Sequence, residues 1–486
     1  MNKYILPLIF ALCVQFCQAQ PSTRRAAFPP PVADTLYYAI CPQQTLQQLE
    51  GWGISLCWWA NMCGRWDDEK IDELVDWLVS PTGLNFNIFR YNIGGGDDPQ
   101  NRNCKLHHMG RGKGLRAEME GFKDSSEGTY HWERDAAQRK IMLKIKERRP
   151  DAIFEAFSNS APYYMTYSGC VGGATKATDN NLRPEYYEEF AHYLVDVCRH
   201  YRDTYGIEFK TLEPFNEPVT DYWYANGSQE GCHVSTEAQI QFLRILSPIL
   251  KDSGLKTVIS ASDETNVAQS VNDLHAYIDA GVLPLVGQWN THTYHVSDSA
   301  RIAMRELAAQ HGIHLWQSEV GDGGFGIDGN LKLAQKLIDD MRMMQPAAWI
   351  DWQYVEEDND QWCFVRSNFA QATYARVKNF YVRQQFSRFF TQGCRFLATE
   401  SKSSLAATTA DGRTLVLALL NTKRATSTHV IDLSAFQTKK GIQAFRTSRN
   451  EDLLPVSDYQ MNRGTMVITL PPRSIVTLQI PIRNEK

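Results

Sequence analysis

The sequence predicts a (β/α)8 barrel (a TIM barrel) with an appended β-sandwich, and the fold class rests on two patterns. Eight short apolar runs alternate with helix-like stretches between residues 46 and 385. Strands that alternate with helices form a parallel sheet, and eight such repeats can close into a barrel. An open α/β sheet is the alternative, because the strand count depends on which runs are accepted. The runs are Leu49–Cys57, Phe86–Ile93, Ala152–Ser158, Phe209–Phe215, Thr257–Ser262, Val286–Thr293, Ile313–Ser318 and Ala348–Tyr354.

Two of the intervening stretches have the spacing of a helix with one apolar face. Their apolar residues recur at positions i, i+3, i+4 and i+7, which lie on one side of an α-helix. Both stretches are therefore predicted to be helices that cover the barrel. The first carries Ile71, Leu74, Val75 and Leu78, and the second carries Tyr187, Phe190, Leu194, Val197 and Tyr201.

Residues 386–486 are predicted to form the β-sandwich, because the pattern changes there to short β-rich runs separated by turn residues. A module of about 100 residues with this pattern is most simply a small sandwich. Residues 20–45 hold a leader and then Thr35–Ile40, a possible first strand of the same sandwich. The C-terminal runs are Leu415–Leu420, Thr428–Leu433, Met466–Leu470 and Ile475–Ile480.

Residues 1–19 are predicted to be a signal peptide. Lys3 precedes an apolar stretch that runs to Phe16, and Cys17-Gln18-Ala19 has the small-x-small pattern of a cleavage site. The mature protein is therefore expected to be secreted or periplasmic. A lipid anchor on Cys17 is the weaker alternative, because the bulky Phe16 precedes it. No later stretch reaches the roughly 18 apolar residues of a membrane span.

The charge and cysteine content exclude several classes of function. A net charge of −5 and a pI near 6.2 leave no basic surface for binding nucleic acid. Cleavage after Ala19 would leave nine cysteines, an odd number whose disulfide pairing is open, and none of them forms a CxxC pair. No metal or other cofactor is therefore predicted, and the protein is expected to be a monomer.

Two glutamates carry the chemical signal of the sequence. Glu217 lies in an Asn-Glu-Pro triplet just after the fourth run, and Glu319 ends the seventh. In a barrel, both positions lie at the C-terminal ends of strands, where active groups gather. Two carboxyl groups that face one cleft can hydrolyse a glycosidic bond, because one protonates the leaving oxygen while the other attacks or activates water. Each glutamate alone would be an ordinary N-cap or loop charge.

Several motifs in the same order resemble glycoside hydrolase family 30, of the retaining β-glycosidase clan A. The resemblance extends from Leu46 to the end of the chain and includes the C-terminal β module. Any one of the motifs is weak, and their order makes the set specific. The motifs are Gly51–Ser55, Phe89–Gly95, Asn216–Pro218, His292–Tyr294 and Ser318-Glu319.

The resemblance implies that Glu217 is the general acid/base and Glu319 the nucleophile. A charge-assisted hydrogen bond from Arg90 would hold Glu319 ionised, although a structural ion pair is the competing interpretation. Asn216 would bind the sugar 2-hydroxyl, and Tyr294 would donate to the nucleophile. The other predicted substrate contacts are Asp97, Asn159, His292, Trp352 and Trp59.

Two segments favour one branch of this family, the endo-β-1,6-galactanases. Ser158–Pro162 departs from the tryptophan-containing loop of some members, and Ser55–Asn61 supports the same branch. The expected partner is a polysaccharide or oligosaccharide, with arabinogalactan side chains favoured. A β-1,6-glucanase, a xylanase and a β-fucosidase or β-galactosidase remain open. A catalytically silent polysaccharide-binding protein is an alternative of another class, and release of reducing sugar would distinguish it.

Overall fold

The computed structural model describes residues 34–96, 98, 100 and 119–483. The predicted signal peptide, with Cys17, and the substrate contact Asp97 lie outside these residues. The first strand, β1 (Thr35–Gln48), belongs to a smaller β module, and the next eight strands form a parallel barrel. The barrel strands are β2 (Gly51–Ser55), β3 (Ile88–Asn92), β4 (Ile153–Phe157), β5 (Thr211–Glu213), β6 (Val258–Glu264), β7 (Gln288–His292), β8 (Leu315–Glu319) and β9 (Ala348–Asp351).

The pairing of β2 with β9 closes the barrel. Gly51 is in register with Ala348, and β2 also pairs with β3 on its other side. The eight-stranded barrel is therefore confirmed, and the open-sheet alternative is wrong. Each strand falls within one of the eight apolar runs, apart from one or two residues at the C-terminal ends of β6 and β8.

The helices that pack outside the barrel bury the residues that the spacing indicated. Ile71, Leu74, Val75 and Leu78 are fully buried on one face of α2. Ser297 is the N-cap of α7, and its side chain accepts a hydrogen bond from a backbone N–H in the first turn of that helix. This N–H has no acceptor within the helix, so the cap satisfies it. The helices are α1 (Trp59–Cys63), α2 (Asp68–Val79), α3 (Ala136–Arg148), α4 (Tyr187–Tyr205), α5 (Thr236–Asp252), α6 (Val267–Asp279), α7 (Asp298–His311), α8 (Gly326–Asp339) and α9 (Lys378–Ser387).

The barrel interior is apolar near its N-terminal end and charged near its C-terminal end. Ile88, Trp316 and Ile350 pack together as an apolar layer. Since alternate residues of a strand point to the same face, Arg90 lies on the same side of β3 as Ile88, nearer to the C-terminal end. The change from apolar to charged side chains places the polar groups at the end of the barrel where active sites form.

Strands from both ends of the chain build the smaller module. Thr35–Ala39 of β1 pair in parallel with one strand, and the rest of β1 pairs antiparallel with another, so β1 joins the two parts of a ten-stranded sheet. A short three-stranded sheet, β10 (Val355–Glu357), β11 (Val365–Asn368) and β12 (Thr373–Arg376), precedes α9. The remaining strands are β13 (Arg395–Thr399), β14 (Ser404–Thr408), β15 (Thr414–Asn421), β16 (Ser427–Asp432), β17 (Gln443–Ser448), β18 (Glu451–Val456), β19 (Tyr459–Asn462), β20 (Thr465–Leu470) and β21 (Ser474–Pro481).

Strand β15 is buried on both faces, which shows how the module attaches to the barrel. Leu417 and Leu419 lie in the sandwich core with Tyr38 of β1, whereas Val416 and Ala418 join the core of the barrel. Because side chains of a strand alternate between its faces, one apolar strand serves both cores. The module therefore covers apolar surface that the barrel would otherwise expose.

Two smaller features bear on the sequence predictions. Within the described part of the chain, no helix is long and apolar enough to cross a membrane. Cys57, Cys198 and Cys363 are fully buried. Cys170 is disulfide-bonded.

We expect a chain that ends at Phe386 to lose the fold of the barrel as well as the sandwich. The cut removes the strands that pair with β1 and exposes the apolar surface that β15 covers. Soluble yield and thermal unfolding of residues 20–386, compared with residues 20–486, measure this effect. A soluble fragment with full activity and an unchanged melting temperature would show that the module is an independent appendage.

Candidate active site

The two predicted glutamates stand at the C-terminal mouth of the barrel. Glu319 is the last residue of β8 and is 5% exposed. Glu217 follows β5 in a loop, is 7% exposed and has a φ of 48°, a left-handed conformation that is uncommon outside glycine. Two hydrogen bonds hold its backbone, from Glu217 N to Asp263 O at 3.0 Å and from Trp223 Nε1 to Glu217 O at 2.9 Å.

The side chains of these glutamates face each other across a short gap. One oxygen of Glu217 and one oxygen of Glu319 lie within 4.8 Å of each other, and the same distance includes a ring nitrogen of His292. The two carboxyl groups are separate, but they are too close for a complete sugar ring to fit between them. The two groups can therefore act on the same glycosidic bond.

Arg90 links Glu319 to two further carboxylates inside the barrel. Its guanidinium is fully buried and donates to Glu155 Oε1 at 2.8 Å, to Asp263 Oδ2 at 2.5 Å and to Glu319 Oε2 at 3.1 Å. The planar guanidinium, with its five N–H donors, can serve three acceptors at once. Burial acts to lower the pKa of Arg90, and the charges of Asp263, Glu155 and Glu319 outweigh it and raise that pKa.

His292 lies between the two glutamates and Asp263. Its Nδ1 is 3.0 Å from Glu217 Oε1 and 3.8 Å from Glu319 Oε1, and its Nε2 is 3.1 Å from Asp263 Oδ1. Burial acts to lower the pKa of His292, but the charges of Glu319 and Asp263 outweigh burial and raise this pKa to about 10. The ring is therefore a buried cation near neutral pH.

The pKa values of Glu319 and Asp263, the two carboxylates that Arg90 and His292 share, shift in opposite directions. Burial raises the pKa of Glu319 to about 7, with the charge of Glu217 acting in the same direction and those of His292 and Arg90 opposing it. Burial also acts to raise the pKa of Asp263, but Arg90 and His292 outweigh it and hold that pKa at about 2. Asp263 is thus the permanent anion of the site, whereas Glu319 titrates near neutral pH.

Two tyrosine hydroxyls complete the hydrogen bonds of the pair. Tyr294 Oη donates to Glu319 Oε1 at 3.1 Å, and Tyr222 Oη donates to Glu217 Oε2 at 2.6 Å. Each glutamate therefore has one tyrosine donor and one cationic neighbour. For Glu319 the cation that donates is Arg90, and for Glu217 it is His292.

The remaining predicted contacts occupy the wall of the same mouth. Asn216 is 4% exposed, and its side-chain oxygen has no hydrogen-bond partner among the described residues. Asn159 is 4% exposed, with its amide nitrogen 3.8 Å from the sulfur of Cys57. Trp352 follows β9, is half-buried and packs edge-on against Trp58, with ring centroids 5.0 Å apart.

Comparison with known proteins shows the family. The model of O-Glycosyl hydrolase family 30 matches residues 35–279, just over half of the chain. The chain belongs to this family. It is therefore an O-glycosyl hydrolase, and its barrel mouth is the place where a family 30 enzyme would carry its active groups.

Two curated relatives and one solved structure show how far the likeness extends. An endo-beta-1,6-galactanase from Hypocrea rufa is 28% identical over 468 residues, covering 92% of this chain and 95% of the relative. An exo-beta-1,6-galactobiohydrolase from Bifidobacterium longum subsp. longum is 25% identical and covers 80% of this chain but 34% of its own length. A conserved exported protein from Bacteroides fragilis matches with a TM-score of 0.78 and 20% identity, covering 91% of this chain and 100% of that one.

The structure corrects one predicted substrate contact, Trp59. This side chain is fully buried in the barrel core, where its Nε1 donates to Ser55 O at 2.8 Å and its ring packs edge-on against Tyr354. A ring without exposed surface cannot stack on a sugar. The sequence pattern places aromatic residues after a strand but does not say which of them faces the cleft.

Sequence reasoning missed three residues of this family 30 site, Glu155, Asp263 and Tyr222. Glu155 lies inside an apolar strand run and Asp263 directly follows another, so a charge in or next to a buried strand was the available signal. The hydrogen bond of Tyr222 to Glu217 depends on the path of the loop after β5. That path is not encoded in residue spacing.

One cluster among the described residues has the spacing of a cation site. Ligand atoms of Glu217, His292 and Glu319 all lie within 4.8 Å of one another. The raised pKa of His292 means that its ring nitrogens are protonated near neutral pH and have no lone pair to offer. The arrangement therefore favours proton sharing over metal binding at that pH.

We expect Arg90→Met to lower the free energy of unfolding by about 3–5 kcal/mol, because three buried carboxylates lose their common cation. Without it the pKa values of Asp263 and Glu319 in the folded state rise, so the folded variant binds more protons than the unfolded chain. Stability should therefore fall as pH rises, and the loss should be larger at pH 8 than at pH 5.

Denaturant unfolding at the two pH values measures this loss. Arg305→Met is the control, because Arg305 is partly exposed and pairs with its neighbour Glu306, and its stability should stay within about 0.5 kcal/mol of wild type. An Arg90→Met variant as stable as this control would show that the guanidinium does not hold the barrel interior together.

Proposed function

We propose that this hydrolase is a retaining β-glycosidase that cleaves β-1,6-linked galactan, such as the side chains of arabinogalactan, in two displacement steps. Glu319 is the nucleophile and Glu217 the general acid/base. The observation that carries the mechanism is the gap of less than 4.8 Å between their oxygens. The substrate rests on the endo-beta-1,6-galactanase from Hypocrea rufa, whose likeness covers nearly all of both chains.

The size of the gap favours retention of anomeric configuration. Inverting enzymes hold their carboxyl groups about 6.5–9.5 Å apart to admit a water molecule, whereas retaining enzymes hold them about 5–5.5 Å apart. One oxygen of Glu217 and one of Glu319 lie within 4.8 Å of each other, which supports the retaining arrangement, with the second carboxylate as the nucleophile.

In the first step, Glu319 attacks the anomeric carbon while Glu217 donates a proton to the departing oxygen. Donors from Arg90 and Tyr294 hold the attacking carboxylate in one orientation. The product is a glycosyl ester on Glu319 and a free leaving sugar. In the second step, Glu217 removes a proton from water, and that water displaces Glu319 and releases the sugar with its β configuration.

The productive form of the pair carries one proton. Glu319 must be ionised to attack, and Glu217 must be protonated to serve as acid. Burial and the charge of Glu217 raise the pKa of Glu319 to about 7, so part of Glu319 is protonated near neutral pH. His292 lies within reach of both groups and keeps the second proton away from the pair by its own positive charge.

Two buried amides supply polar contacts for the bound sugar. The side-chain oxygen of Asn216 has no partner among the described residues, which suits a bond from the sugar 2-hydroxyl. Such a bond strengthens in the transition state of glycoside hydrolysis. Asn159 lines the same barrel mouth, and the indole ring of Trp352 would lie beneath the sugar ring. Asp97 is proposed as a further hydroxyl ligand on the family resemblance alone.

The site also fits the predicted destination of the protein. We infer that residues 1–19 direct export, so that the enzyme meets its polysaccharide outside the cytoplasm. The predicted signal lies outside the described residues and remains an expectation from the sequence. Detection of a mature chain that begins at Gln20, by mass spectrometry of the exported protein, would support it.

We expect the two glutamate variants to fail in different ways. Glu319→Gln removes the nucleophile, so turnover should fall by several orders of magnitude on every substrate. Glu217→Ala should lose turnover on substrates with a sugar leaving group and still release an activated phenol, because that leaving group needs little protonation. Added azide should then restore turnover and give a β-glycosyl azide. Steady-state rates and NMR of the product measure both effects.

Two outcomes would contradict these assignments. Near wild-type turnover in Glu319→Gln would exclude Glu319 as the nucleophile. Equal losses in Glu217→Ala on good and poor leaving groups, without rescue by azide, would exclude Glu217 as the acid/base. Circular dichroism and melting temperature serve as the control for folding in both variants.

We expect β-1,6-galactotetraose to be cleaved faster than β-1,6-glucotetraose or xylotetraose. Galactose and glucose differ in the orientation of O4, and a buried polar group left without its partner discriminates strongly against the wrong epimer. Initial rates of reducing-sugar release at equal substrate concentration make the comparison. Faster cleavage of the glucan or xylan oligomer would replace the galactanase proposal by a β-1,6-glucanase or xylanase. Release from β-fucosides alone would point to a β-fucosidase.

A further inference from the structure

Tyr222 contacts a candidate catalytic group and also presents an open aromatic surface. Its hydroxyl donates to Glu217 Oε2 at 2.6 Å and lies 2.8 Å from Thr265 Oγ1. The single phenolic proton is directed to Glu217, so Thr265 must be the donor in the second bond. Tyr222 as a whole is 40% exposed, although Glu217 is 7% exposed. Tyr222 therefore connects the buried acid to the solvent side of the cleft.

The loop that carries Tyr222 is fixed by its neighbour Trp223. This indole is 4% exposed, donates to Glu217 O at 2.9 Å and packs edge-on against Tyr222, with ring centroids 4.6 Å apart. A side-chain carbon at Gly231 would lie 2.1 Å from the indole, so glycine is required for this close approach. The position of Tyr222 is thus set before any substrate binds.

A second loop reinforces this arrangement. Ala225 N donates to Ala174 O at 2.8 Å, and Gly231 N donates to Val171 O at 2.8 Å. These bonds join the part of the β5 loop that follows Trp223 to the loop after β4. A doubly attached loop loses little entropy when a ligand binds, which suits a preformed subsite.

The contact with the acid indicates which part of the substrate the exposed ring would meet. A general acid stands next to the glycosidic oxygen, with the leaving sugar beyond that oxygen. Glu217 Oε1 faces inward to His292, whereas Oε2 faces Tyr222. An exposed ring bonded to the outer oxygen of the acid lies on the leaving-group side. Aromatic faces of this kind stack on sugar rings with little entropic cost, because they have few rotatable bonds.

We propose that Tyr222 has two functions: its hydroxyl positions Glu217 for proton donation, and its ring forms the subsite for the first leaving-group sugar. Binding of that sugar and orientation of the acid then depend on one side chain. The inference rests on the proposed role of Glu217 and deepens it by assigning the neighbouring subsite. Tyr222 is a positioning residue, because it acts on the reaction through Glu217.

The hydroxyl is suited to this function because it stays protonated. Burial and the charge of Glu217 raise the pKa of Tyr222 well above its ordinary value. The hydroxyl therefore remains a donor across the pH range in which a glycosidase works. Thr265, as donor to the same oxygen, fixes the direction in which that proton points.

The hydroxyl is tested with Tyr222→Phe, which keeps the ring. We expect kcat on a substrate with a sugar leaving group to fall about tenfold to a hundredfold, the range for loss of a hydrogen bond to a charged group. KM should change less than threefold on that substrate, and kcat/KM for an aryl glycoside with an activated phenol, which reports release of the phenol, should change less than threefold. Tyr224→Phe is the matched control, because Tyr224 is 45% exposed on the same loop and should leave all constants unchanged.

The ring is tested by the fate of the glycosyl-enzyme. A sugar acceptor bound at the leaving-group subsite competes with water for this intermediate, so the ratio of transfer to hydrolysis reports occupancy of the subsite. With an activated aryl glycoside and added sugar acceptor, Tyr222→Phe should keep the wild-type ratio. Tyr222→Leu should lower it at least fivefold, and Tyr224→Leu should not lower it.

The outcomes separate the two functions and the proposal on which they rest. An equal loss of kcat/KM on both leaving groups, or no loss, in Tyr222→Phe would overturn the positioning function. An unchanged transfer ratio in Tyr222→Leu would overturn the subsite. If Glu217→Ala lacks azide rescue, the proposed acid/base role fails independently of either result. If the wild type cleaves a glycoside other than a β-1,6-galactoside, that glycoside is the substrate for the kinetic measurement and for the transfer measurement.

Discussion

The structure depends on one buried interaction, the contact of Arg90 with three carboxylates. Arg90 lies on β3, and its acceptors Glu155, Asp263 and Glu319 lie on three other barrel strands. Arg90 is directly in register with Glu155. A slip of one residue would turn the guanidinium out of the barrel and leave the acids buried without a cation. The same contact therefore selects the strand register and orients the side chain proposed to attack the sugar.

His292 is a second buried cation, so positively and negatively charged side chains are neighbours throughout the site. Asp263 contacts both cations. Its Oδ2 accepts a hydrogen bond from Arg90, and its Oδ1 lies 3.1 Å from His292 Nε2. Ser318 donates to the same carboxylate, and the pKa of Asp263 stays low. With Asp263 fixed as an anion and Arg90 and His292 as cations, Glu319 is the carboxyl group of this network whose pKa, about 7, lies near neutral pH. The fixed charges around it preorganise the site electrostatically.

Local sequence patterns predicted the barrel, because the buried strands of a parallel sheet appear in the sequence as short apolar runs. Both helices identified from their spacing were also correct. The sandwich was predicted in part: β15, β16, β20 and β21 are apolar, whereas β18 begins with two acidic residues, contains Pro455 and is partly exposed throughout, so it lacked a clear signal. At the site, Glu217 and Glu319 were recognisable from strand ends and motifs. Asp263 and the burial of Trp59 were not, because convergence of side chains from distant strands depends on tertiary packing that residue spacing does not record.

The two proposed catalytic groups are held by different kinds of structure, and this difference explains what the sequence could predict about each. Glu319 is part of a strand, so the barrel itself fixes it. Glu217 stands in a loop with a left-handed backbone and is held by Tyr222, Trp223 and His292. Chemistry that is common to a fold can rely on its strands, whereas the choice of sugar must come from loops that vary in length and path. The proposed mechanism of this chain therefore follows from the barrel, and its choice of sugar from the loops after β4 and β5, where the exposed ring of Tyr222 lies next to Glu217.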